Sequence, residues 1–350
     1  MAARYAADGL RLAAEALLRA AGMQEEHARD AADILVEGDL LGHTTHGLAL
    51  LASYLAELES GSMRTAGTYR VVNERGATAL WDGERLPGPW LARRAVDEAA
   101  ERAQRFGSGT VVIRRSHHIA CLAAYLTRAT ERGLVILLSC SDPNSASVAP
   151  HGGLKPLFTP DPLAFGVPTG SEPVLIDLSA SLTTNGMTAR LHKHGKRLPH
   201  AWLLDAAGRA TDDPAVLFND PKGTILPAGG IDAGHKGYAL ALIVETLTGA
   251  LAGFGRADPK QGWGATVLVQ VWDPAAFGGI ESFVRQADWL AEACRTNPAR
   301  PGVDAVRLPG ERGLALKREQ MRSGVALHED IMPALVPWAG KLGVALPPPL

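Results

Sequence analysis

Two patterns of apolar and polar residues follow one another along the chain, and the change between them predicts the architecture. Residues 8–60 place apolar side chains three and four positions apart, which predicts three helices at about 8–21, 25–41 and 46–61. From residue 68 onward, short β-branched or apolar runs predict strands at 68–72, 78–81, 110–114, 135–138, 174–176 and 266–271. Longer apolar or amphipathic stretches predict helices at 87–106, 119–132, 235–251 and, apart from 297–311, from about 281 onward.

The order of these elements predicts an α/β protein with two domains. Helices that alternate with strands indicate a layered α/β unit, and 350 residues are many for one hydrophobic core. Because both ends of the chain are helical, we expect them to pack together. We predict a helical domain from residues 1–75 and 281–350, and an α/β domain from 76–280. The Pro-, Gly-, Ser- and Asp-rich stretch 141–172 is predicted to be an ordered loop beside a site.

Composition narrows the class of protein. Charged residues make up 21% of the chain with a net charge of -2, which leaves no basic patch for nucleic acid or anionic membranes. Cys121, Cys140 and Cys294 are odd in number and lack CxxC spacing, which favours a reducing compartment over a disulfide framework or structural zinc. The first helix is amphipathic, unlike a signal peptide or membrane span. A cytoplasmic protein without nucleic-acid or membrane partners is predicted.

The strongest candidate for chemistry is His118, in the polar cluster Arg115-Ser116-His117-His118. The continuous apolar run at 110–113 predicts a strand buried on both faces, which would hold the residues after it rigidly at a cleft. Histidine titrates near neutral pH, so His118 is a candidate general acid or base, with Ser116 orienting the ring or contacting a substrate. The alternative is a histidine satisfied by hydrogen bonds at a helix start. His117 points elsewhere in a regular backbone.

A second histidine segment, GHTTHG, occupies residues 42–47. His43 and His46 are three positions apart and would share one side of a helix. The pattern supports two interpretations equally well. Either the segment caps the third helix and fills a domain seam, or Thr44, Thr45 and His46 present donors to a cofactor or substrate at a helix N-terminus.

Other polar segments are weaker candidates. Asp177 ends a predicted buried strand, where it could accept a hydrogen bond from a ribose or cap the next segment. Residues 234–237 and 309–313 place glycines at helix starts, where a backbone can approach an anion. His192 and His194 lie among Gly and Lys, which favours a solvated turn over a metal pair, so no metal is predicted. GxGxxG, GxSxG and HExxH motifs do not occur in the sequence.

Taken together, seven segments resemble the type-2 malate/L-lactate dehydrogenase family, also called sulfolactate dehydrogenase-like oxidoreductases. They span about 270 residues in the family's order, and the subgroup they resemble best is the hydroxycarboxylate dehydrogenases. The segments are GHTTHGLALLASYL (42–55), RRSHHIACLAAYL (114–126), VAPHGG (148–153), PVLIDLSAS (173–181), HGKRLPHAWLLDAAGRATDDP (194–214), GHKGYALALIVETLTGALAG (234–253) and LPGER (308–312).

The resemblance implies a fold, an assembly and an activity. The cofactor domain would be a three-layer α/β/α unit with a mixed, non-Rossmann sheet, beside a helical domain formed by both chain ends. Members are cytoplasmic, usually homodimers, and use NAD or NADP. They oxidise 2-hydroxy acids or reduce 2-oxo acids, and some reduce cyclic imino acids.

The resemblance also implies roles for particular residues. His118 falls on the family's proton-transfer histidine, and His46 falls on the histidine of the (S/T)HG motif, which lies by the nicotinamide. The segments that contact the cofactor carry, in this sequence, Ala120, Cys121, Leu122, Leu175, Ile176, Asp177, Leu178, Ser179, His235, Lys236, Gly310, Glu311, Arg312 and Gly313.

Three positions depart from the family pattern. Leu50 stands where an arginine often holds the substrate carboxylate, three positions after the HG motif. Residues 159–162 read Thr-Pro-Asp-Pro where GTNP is common, and Ala120 replaces a glycine after the histidine motif. A missing bidentate clamp implies either another cation, for which Arg115 is a candidate, or a larger and less polar substrate.

The sequence therefore predicts reversible hydride transfer between a nicotinamide cofactor and C2 of a 2-hydroxy or 2-oxo acid, with His118, Ser116 and His46 as catalytic residues. One alternative is a reductase of cyclic imino acids on the same fold. The others are a hydrolase that uses Ser116 and His118, and a relative that binds nucleotide without turnover. NAD is favoured over NADP because the sequence has no clear arginine cluster that would bind a 2′-phosphate. A homodimer is expected from the resemblance alone.

Overall fold

The computed structural model describes residues 3–350, and its centre is a mixed seven-stranded sheet. Its strand order is β2-β3-β4-β11-β5-β6-β7, with β3 and β4 parallel and the other neighbouring pairs of the described chain antiparallel. The strands are β1 (Arg4–Tyr5), β2 (Arg70–Arg75), β3 (Thr78–Asp82), β4 (Ser108–Ser116), β5 (Val135–Ser141), β6 (Pro162–Val167), β7 (Val174–Ser179), β8 (Leu203–Leu204), β9 (Ala210–Thr211), β10 (Thr224–Ile225), β11 (Ala265–Trp272) and β12 (Val325–Ala326).

Helices cover both faces of this sheet, and they also form the two ends of the chain. Helix α8 continues as a π-helical turn over Thr246–Ala250. None of the helices in residues 3–350 is both long and apolar enough to cross a membrane. The helices are α1 (Ala7–Ala20), α2 (Glu25–Leu40), α3 (Leu51–Glu59), α4 (Gly88–Phe106), α5 (Ala123–Thr130), α6 (Asn185–Lys193), α7 (Gly230–Ala233), α8 (His235–Glu245), α9 (Ile280–Arg295), α10 (Glu311–Ser323) and α11 (Ile331–Leu342).

The central strand β4 explains why the sheet has helices on both sides. Val111 and Ile113 belong to the main core beneath α4 and α5, whereas Val112 packs against Leu268 and Ala252 on the opposite face. Alternate side chains of a strand point to opposite faces, so an uninterrupted apolar run needs a helical layer on each side. The predicted three-layer α/β/α arrangement with a non-Rossmann, mixed sheet is confirmed.

Both ends of the chain pack into one helical layer, as predicted. Helices α10 and α11 contact α1, α2 and α3, and β1 pairs with β12. The Gln320 side chain donates to the carbonyl oxygens of Asp39 and Leu40, each at 3.0 Å, which ties α10 to the end of α2. Helix α9 lies elsewhere, where Asp288 accepts from the Gly170 amide of the α/β part. The boundaries at residues 75 and 281 stay a prediction.

Several predicted elements differ from the structure. The third helix begins at Leu51 and not at His46, because residues 43–47 form a turn followed by a 3-10 segment, Leu48–Leu50. The loop predicted at 141–172 contains strand β6 between β5 and β7. The solvated turn predicted near His192 is the end of helix α6. Thr184 caps the N-terminus of this helix, because its side chain accepts from the Met187 amide at 3.2 Å.

Candidate active site

His118 lies just beyond the end of β4, where the chain turns sharply away from the sheet. Arg115 and Ala120 have positive φ angles of 53° and 60°, so the segment between them leaves the strand geometry. Arg115 donates to the fully buried Asp82 at 2.8 and 2.5 Å. This ion pair holds the turn against β3. It also engages the guanidinium that was a candidate for binding the substrate carboxylate.

The ring of His118 is held by contacts to one of its two nitrogens. Nδ1 lies 3.0 Å from the Tyr54 hydroxyl and 3.2 Å from the Ala120 amide nitrogen. The Tyr54 hydroxyl also donates to the His118 carbonyl oxygen at 3.0 Å, and the Trp263 ring lies 4.6 Å from the imidazole, centroid to centroid. No residue of the described range 3–350 bonds to Nε2, which is therefore left for a ligand.

His118 is neutral at physiological pH. Burial lowers its pKa well below 6.5, and the neighbouring His46 and His117 lower the pKa further. A neutral imidazole can accept a proton, which is the state that a general base requires.

His46 lies close to His118 in the structure, and its catalytic role stays a prediction. The two ring centroids are 6.2 Å apart and the rings are inclined by 25°. His46 Nδ1 lies 2.9 Å from the Thr45 hydroxyl. Burial, followed by the charges of His43 and Arg190, lowers the pKa of His46 to about 4. A small ligand between the two rings would be within reach of both imidazoles.

The turn that carries His46 is supported by Asp39 of α2. Asp39 is buried and accepts from the Leu48 amide at 2.7 Å. A Cβ at Gly47 would lie 2.4 Å from the Asp39 carboxylate, so glycine is needed for this close approach. Burial raises the pKa of Asp39 to about 7, against the lowering effect of the Leu48 amide.

His117 faces away from this cleft, as the alternation along the backbone predicted. Its ring is fully buried, and Nε2 lies 3.1 Å from the Glu57 carboxylate. Burial lowers the pKa of His117 to about 4 although Glu57 acts to raise it. Ser116 is also buried, and its hydroxyl donates to the His117 carbonyl oxygen at 2.7 Å. The role predicted for Ser116 at the substrate stays a prediction, and its geometry favours support of the backbone turn.

Two of the segments expected to contact a cofactor meet beside His43. Asp177 accepts from the Ala123 amide at 2.9 Å, at the start of α5, and lies near the Cys121 thiol and His43 at 3.9 and 4.0 Å. Asp177 thus caps α5, and it joins the segments 120–122 and 175–179. The other residues of these two segments that were predicted to contact the cofactor are Ala120, Leu122, Leu175, Ile176, Leu178 and Ser179.

The start of α10 packs against the same strand. Gly310 has a φ of 88°, and a Cβ there would lie 2.8 Å from Leu175, so the turn at 310–313 sits directly on β7. Glu311 accepts from the Leu308 amide at 2.9 Å and pairs with Arg295. These bonds assign Glu311 to the cap of α10. Arg312 is exposed, and Gly313 lies close to the carbonyl oxygen of Leu41.

His235 and Lys236 begin α8 at the far end of β7. The glycine after them packs on the backbone of Ala180 and Ala228, and the His235 ring lies 5.9 Å from that of His151. Both side chains are exposed. The segment is therefore near the end of β7, although it has no direct bond to the His46–His118 pair.

The altered Thr-Pro-Asp-Pro segment forms a buried polar group near the same sheet edge. Asp161 is fully buried, has a positive φ of 46°, and accepts from the Thr159 hydroxyl at 2.6 Å. Burial and the nearby Glu245 raise the pKa of Asp161 to about 8. The neutral form of this carboxyl presents an O–H and a carbonyl oxygen, much as the amide of an asparagine presents a donor and an acceptor.

Three residues of the site were not predicted from the sequence. Tyr54 was identified only as part of an apolar helix face, Trp263 lies in the loop before β11, and Asp39 lies in the second helix. Asp39 was the one residue of the three with a signal in the sequence, because it is an aspartate directly before a glycine-containing turn. The contacts of Tyr54 and Trp263 with His118 depend on long-range packing.

The mixed sheet between two helical layers defines a class of α/β protein distinct from the Rossmann dehydrogenases. The chain belongs to the malate/L-lactate dehydrogenase family, whose model matches residues 5–336. It is 34% identical to the (2R)-3-sulfolactate dehydrogenase (NADP(+)) of Chromohalobacter salexigens, with 93% of this chain and 95% of that protein covered.

Two solved structures have the same fold. Malate dehydrogenase from Entamoeba histolytica is 24% identical and superposes with a TM-score of 0.93, covering 99% of this chain and 100% of that one. The Δ1-piperideine-2-carboxylate reductase from Pseudomonas syringae pvar. tomato is 28% identical, with a TM-score of 0.82 and coverages of 96% and 99%.

Proposed function

We propose that this protein catalyses reversible hydride transfer between a nicotinamide cofactor and C2 of a 2-hydroxy or 2-oxo carboxylic acid. The observation that carries the proposal is the setting of His118. Its Nδ1 is engaged by Tyr54 and Ala120, its Nε2 is open, and His46 lies beside it. Membership of the malate/L-lactate dehydrogenase family supports this assignment of reaction class.

The protein's contribution to the reaction is to orient the substrate and move one proton. The Tyr54 hydroxyl donates its hydrogen to the His118 carbonyl oxygen, so its oxygen can accept from Nδ1–H of the neutral ring. In this tautomer the lone pair is on Nε2, which during oxidation accepts the proton of the C2 hydroxyl as the hydride leaves. Burial keeps His118 in the neutral form needed for this step. During reduction, protonated His118 returns the proton to the C2 oxygen. Before this transfer, the carboxylate of the bound 2-oxo acid supplies a negative charge that stabilises the imidazolium.

The residues present fit a dinucleotide. The Asp177 carboxylate beside β7 can accept from a ribose hydroxyl, and Gly310 brings the backbone at the start of α10 close to Leu175, where a ligand can lie against it. When bound, the nicotinamide accepts or supplies the hydride. We propose NAD as the preferred cofactor because the Asp177 carboxylate disfavours an additional phosphate nearby. Because the Chromohalobacter relative is named for NADP(+), both cofactors belong in the assay.

The substrate proposed for this chain has an apolar side chain. Leu50 removes the expected cation, Arg115 is engaged by Asp82, and the partly exposed Trp263 ring presents aromatic surface next to His118. A hydrophobic side chain on the acid would pack there. Phenylpyruvate is therefore a better test substrate than oxaloacetate. We also propose that the enzyme is cytoplasmic and works as a homodimer.

A second candidate is the reduction of cyclic imino acids. It is favoured by the fold likeness to the Δ1-piperideine-2-carboxylate reductase. The hydrolase alternative has no comparable support, since the Ser116 hydroxyl is buried and donates to the His117 carbonyl oxygen. A relative that binds nucleotide without turnover would show cofactor binding and no activity.

The test is to mix the purified protein with NADH or NADPH and a panel of 2-oxo acids and cyclic imines, and to follow the loss of absorbance of the reduced cofactor. We expect consumption with apolar 2-oxo acids. Consumption with a cyclic imine alone would replace the proposal with the second candidate. Cofactor binding without turnover on any member of the panel would contradict both.

A further inference from the structure

Imidazole and carboxylate groups from two distant segments meet at the end of helix α6. His194 directly follows α6, and His328 and Glu329 lie in the loop before α11. One nitrogen or oxygen from each of these three residues lies within 4.8 Å of the others. The cluster is separate from the His46–His118 pair, and it contains none of the residues expected to contact the cofactor.

We propose that His194, His328 and Glu329 form a binding site for a divalent transition-metal ion such as Zn²⁺, with Asp330 orienting His194. His194 Nε2 lies 2.7 Å from the Asp330 carboxylate, which can only accept, so Nε2 carries the hydrogen. Nδ1 is then the ring nitrogen available to a metal ion, and it lies 3.8 Å from a Glu329 carboxylate oxygen. A metal ion between these two atoms would be bound by both.

The three ligand atoms lie within 4.8 Å of one another, so they must draw together to bind a small ion. Zn²⁺ bonds imidazole nitrogen and carboxylate oxygen at about 2.0–2.2 Å, which places two tetrahedral ligand atoms about 3.4 Å apart. The observed 3.8 Å between His194 and Glu329 therefore needs a closure of a few tenths of an ångström. The Glu329 side chain is 76% exposed and is free to make this movement. A carboxylate that holds the other nitrogen of a ligating histidine is the usual support of such sites.

The charges around the cluster decide which ions it can bind. Lys193 donates to Asp330 at 2.7 Å, and the charge of Arg190 also reaches His328. These two cations balance the two carboxylates, so long-range attraction adds little to binding. The affinity must come from imidazole coordination, which favours Zn²⁺, Co²⁺, Ni²⁺ or Cu²⁺ over Mg²⁺ and Ca²⁺.

A bound ion would fix α6 to the helical part of the protein. Arg190 of α6 donates to the hydroxyl and the carbonyl oxygen of Thr44, at 2.8 and 2.6 Å. Thr44 belongs to the turn that carries His46. The role of the ion is therefore structural: it holds α6 over this turn, and it takes no part in proton or hydride transfer.

The test uses full-length protein without a histidine tag, freed of metal by a chelator. Isothermal calorimetry with ZnCl₂, and the visible absorption of bound Co²⁺, should give a Kd of about 10 µM or tighter and a tetrahedral spectrum. His194→Ala and His328→Ala should each weaken binding at least about tenfold and abolish the rise in Tm that Zn²⁺ causes. MgCl₂ at the same concentrations should not bind.

Two controls locate the ion. His192→Ala alters another histidine of α6, which stacks on Phe218 with ring centroids 4.4 Å apart, and should bind Zn²⁺ like the wild type. Cys121→Ser removes a ligand from a second group, His43, Cys121 and Asp177. Binding that survives His194→Ala but is lost in Cys121→Ser would overturn the proposal. A Kd for the wild type weaker than about 1 mM would do the same.

Discussion

Removing the Tyr54 hydroxyl is the sharpest perturbation of the proposed site, because it changes the setting of His118 without changing any charge. In Tyr54→Phe, Nδ1 of His118 loses a contact at 3.0 Å, and the His118 carbonyl oxygen loses its donor at 3.0 Å. Leaving buried polar groups without partners costs about 1–3 kcal/mol. We expect a loss of about 2 kcal/mol in the free energy of unfolding.

The same change should lower kcat. A ring that is no longer held against Tyr54 spends less time with Nε2 at the substrate oxygen. A loss of about 1.4–2.7 kcal/mol of transition-state stabilisation corresponds to a decrease in kcat of about 10- to 100-fold. The KM for the nicotinamide cofactor should change by less than about threefold, because Tyr54 lies outside the segments expected to bind it.

Tyr125→Phe is the matched control. The Tyr125 hydroxyl is also fully buried and donates to the carbonyl oxygen of Ile119, at 2.6 Å, in the same turn. It should lose similar stability in urea unfolding while its kcat stays within about threefold of the wild type. Steady-state kinetics and urea unfolding of both variants separate the two effects. Equal kcat values for Tyr54→Phe and Tyr125→Phe would refute the positioning role of Tyr54.

Three further predictions concern the pH dependence and the substrate. Burial lowers the pKa of His118, so kcat/KM for oxidation should be constant from about pH 7 upward. In the same range kcat/KM for reduction should fall about tenfold per pH unit, because the protonated fraction of His118 decreases. A rise in the reductive kcat/KM with pH would contradict the role of His118. Asp39 has a folded pKa of about 7, above its unfolded value near 3.8, so the folded state binds the proton more tightly and stability should fall as pH rises between these values. Asp39→Asn should flatten this profile and gain about 1–4 kcal/mol at pH 8 in urea unfolding; an unchanged slope would show that Asp39 is not the titrating group. Leu50→Arg should raise kcat/KM for phenylpyruvate about tenfold or more because it supplies a cation for the substrate carboxylate, and an unchanged kcat/KM would place the carboxylate site elsewhere.

The layered architecture could be predicted because it depends on local patterns of apolar and polar residues. The β-branched run at 110–113 and the apolar helices at both chain ends determine which surfaces must be buried, and the structure buries them. The short strand β6 was missed because its proline and glycine resemble loop sequence. Its pairing with β5 and β7 depends on segments that come together only in the fold.

The candidate site could be predicted in part. His118 and His46 were found because they follow a predicted strand and a glycine break, and the resemblance joined the two segments. Tyr54 and Trp263 could not be assigned to His118, since they are about 60 and 145 residues away in the sequence. Only the packing of α3 and of the loop before β11 places them on the imidazole.

The turnover of His118→Asn tests the central claim most directly. The measurement is kcat with a 2-oxo acid that the wild type reduces, together with the affinity for reduced cofactor from fluorescence titration. We predict a decrease in kcat of about 10²- to 10⁴-fold, with cofactor affinity close to that of the wild type. Near-normal turnover with intact cofactor binding would contradict the account, because the proton would then be carried by another group.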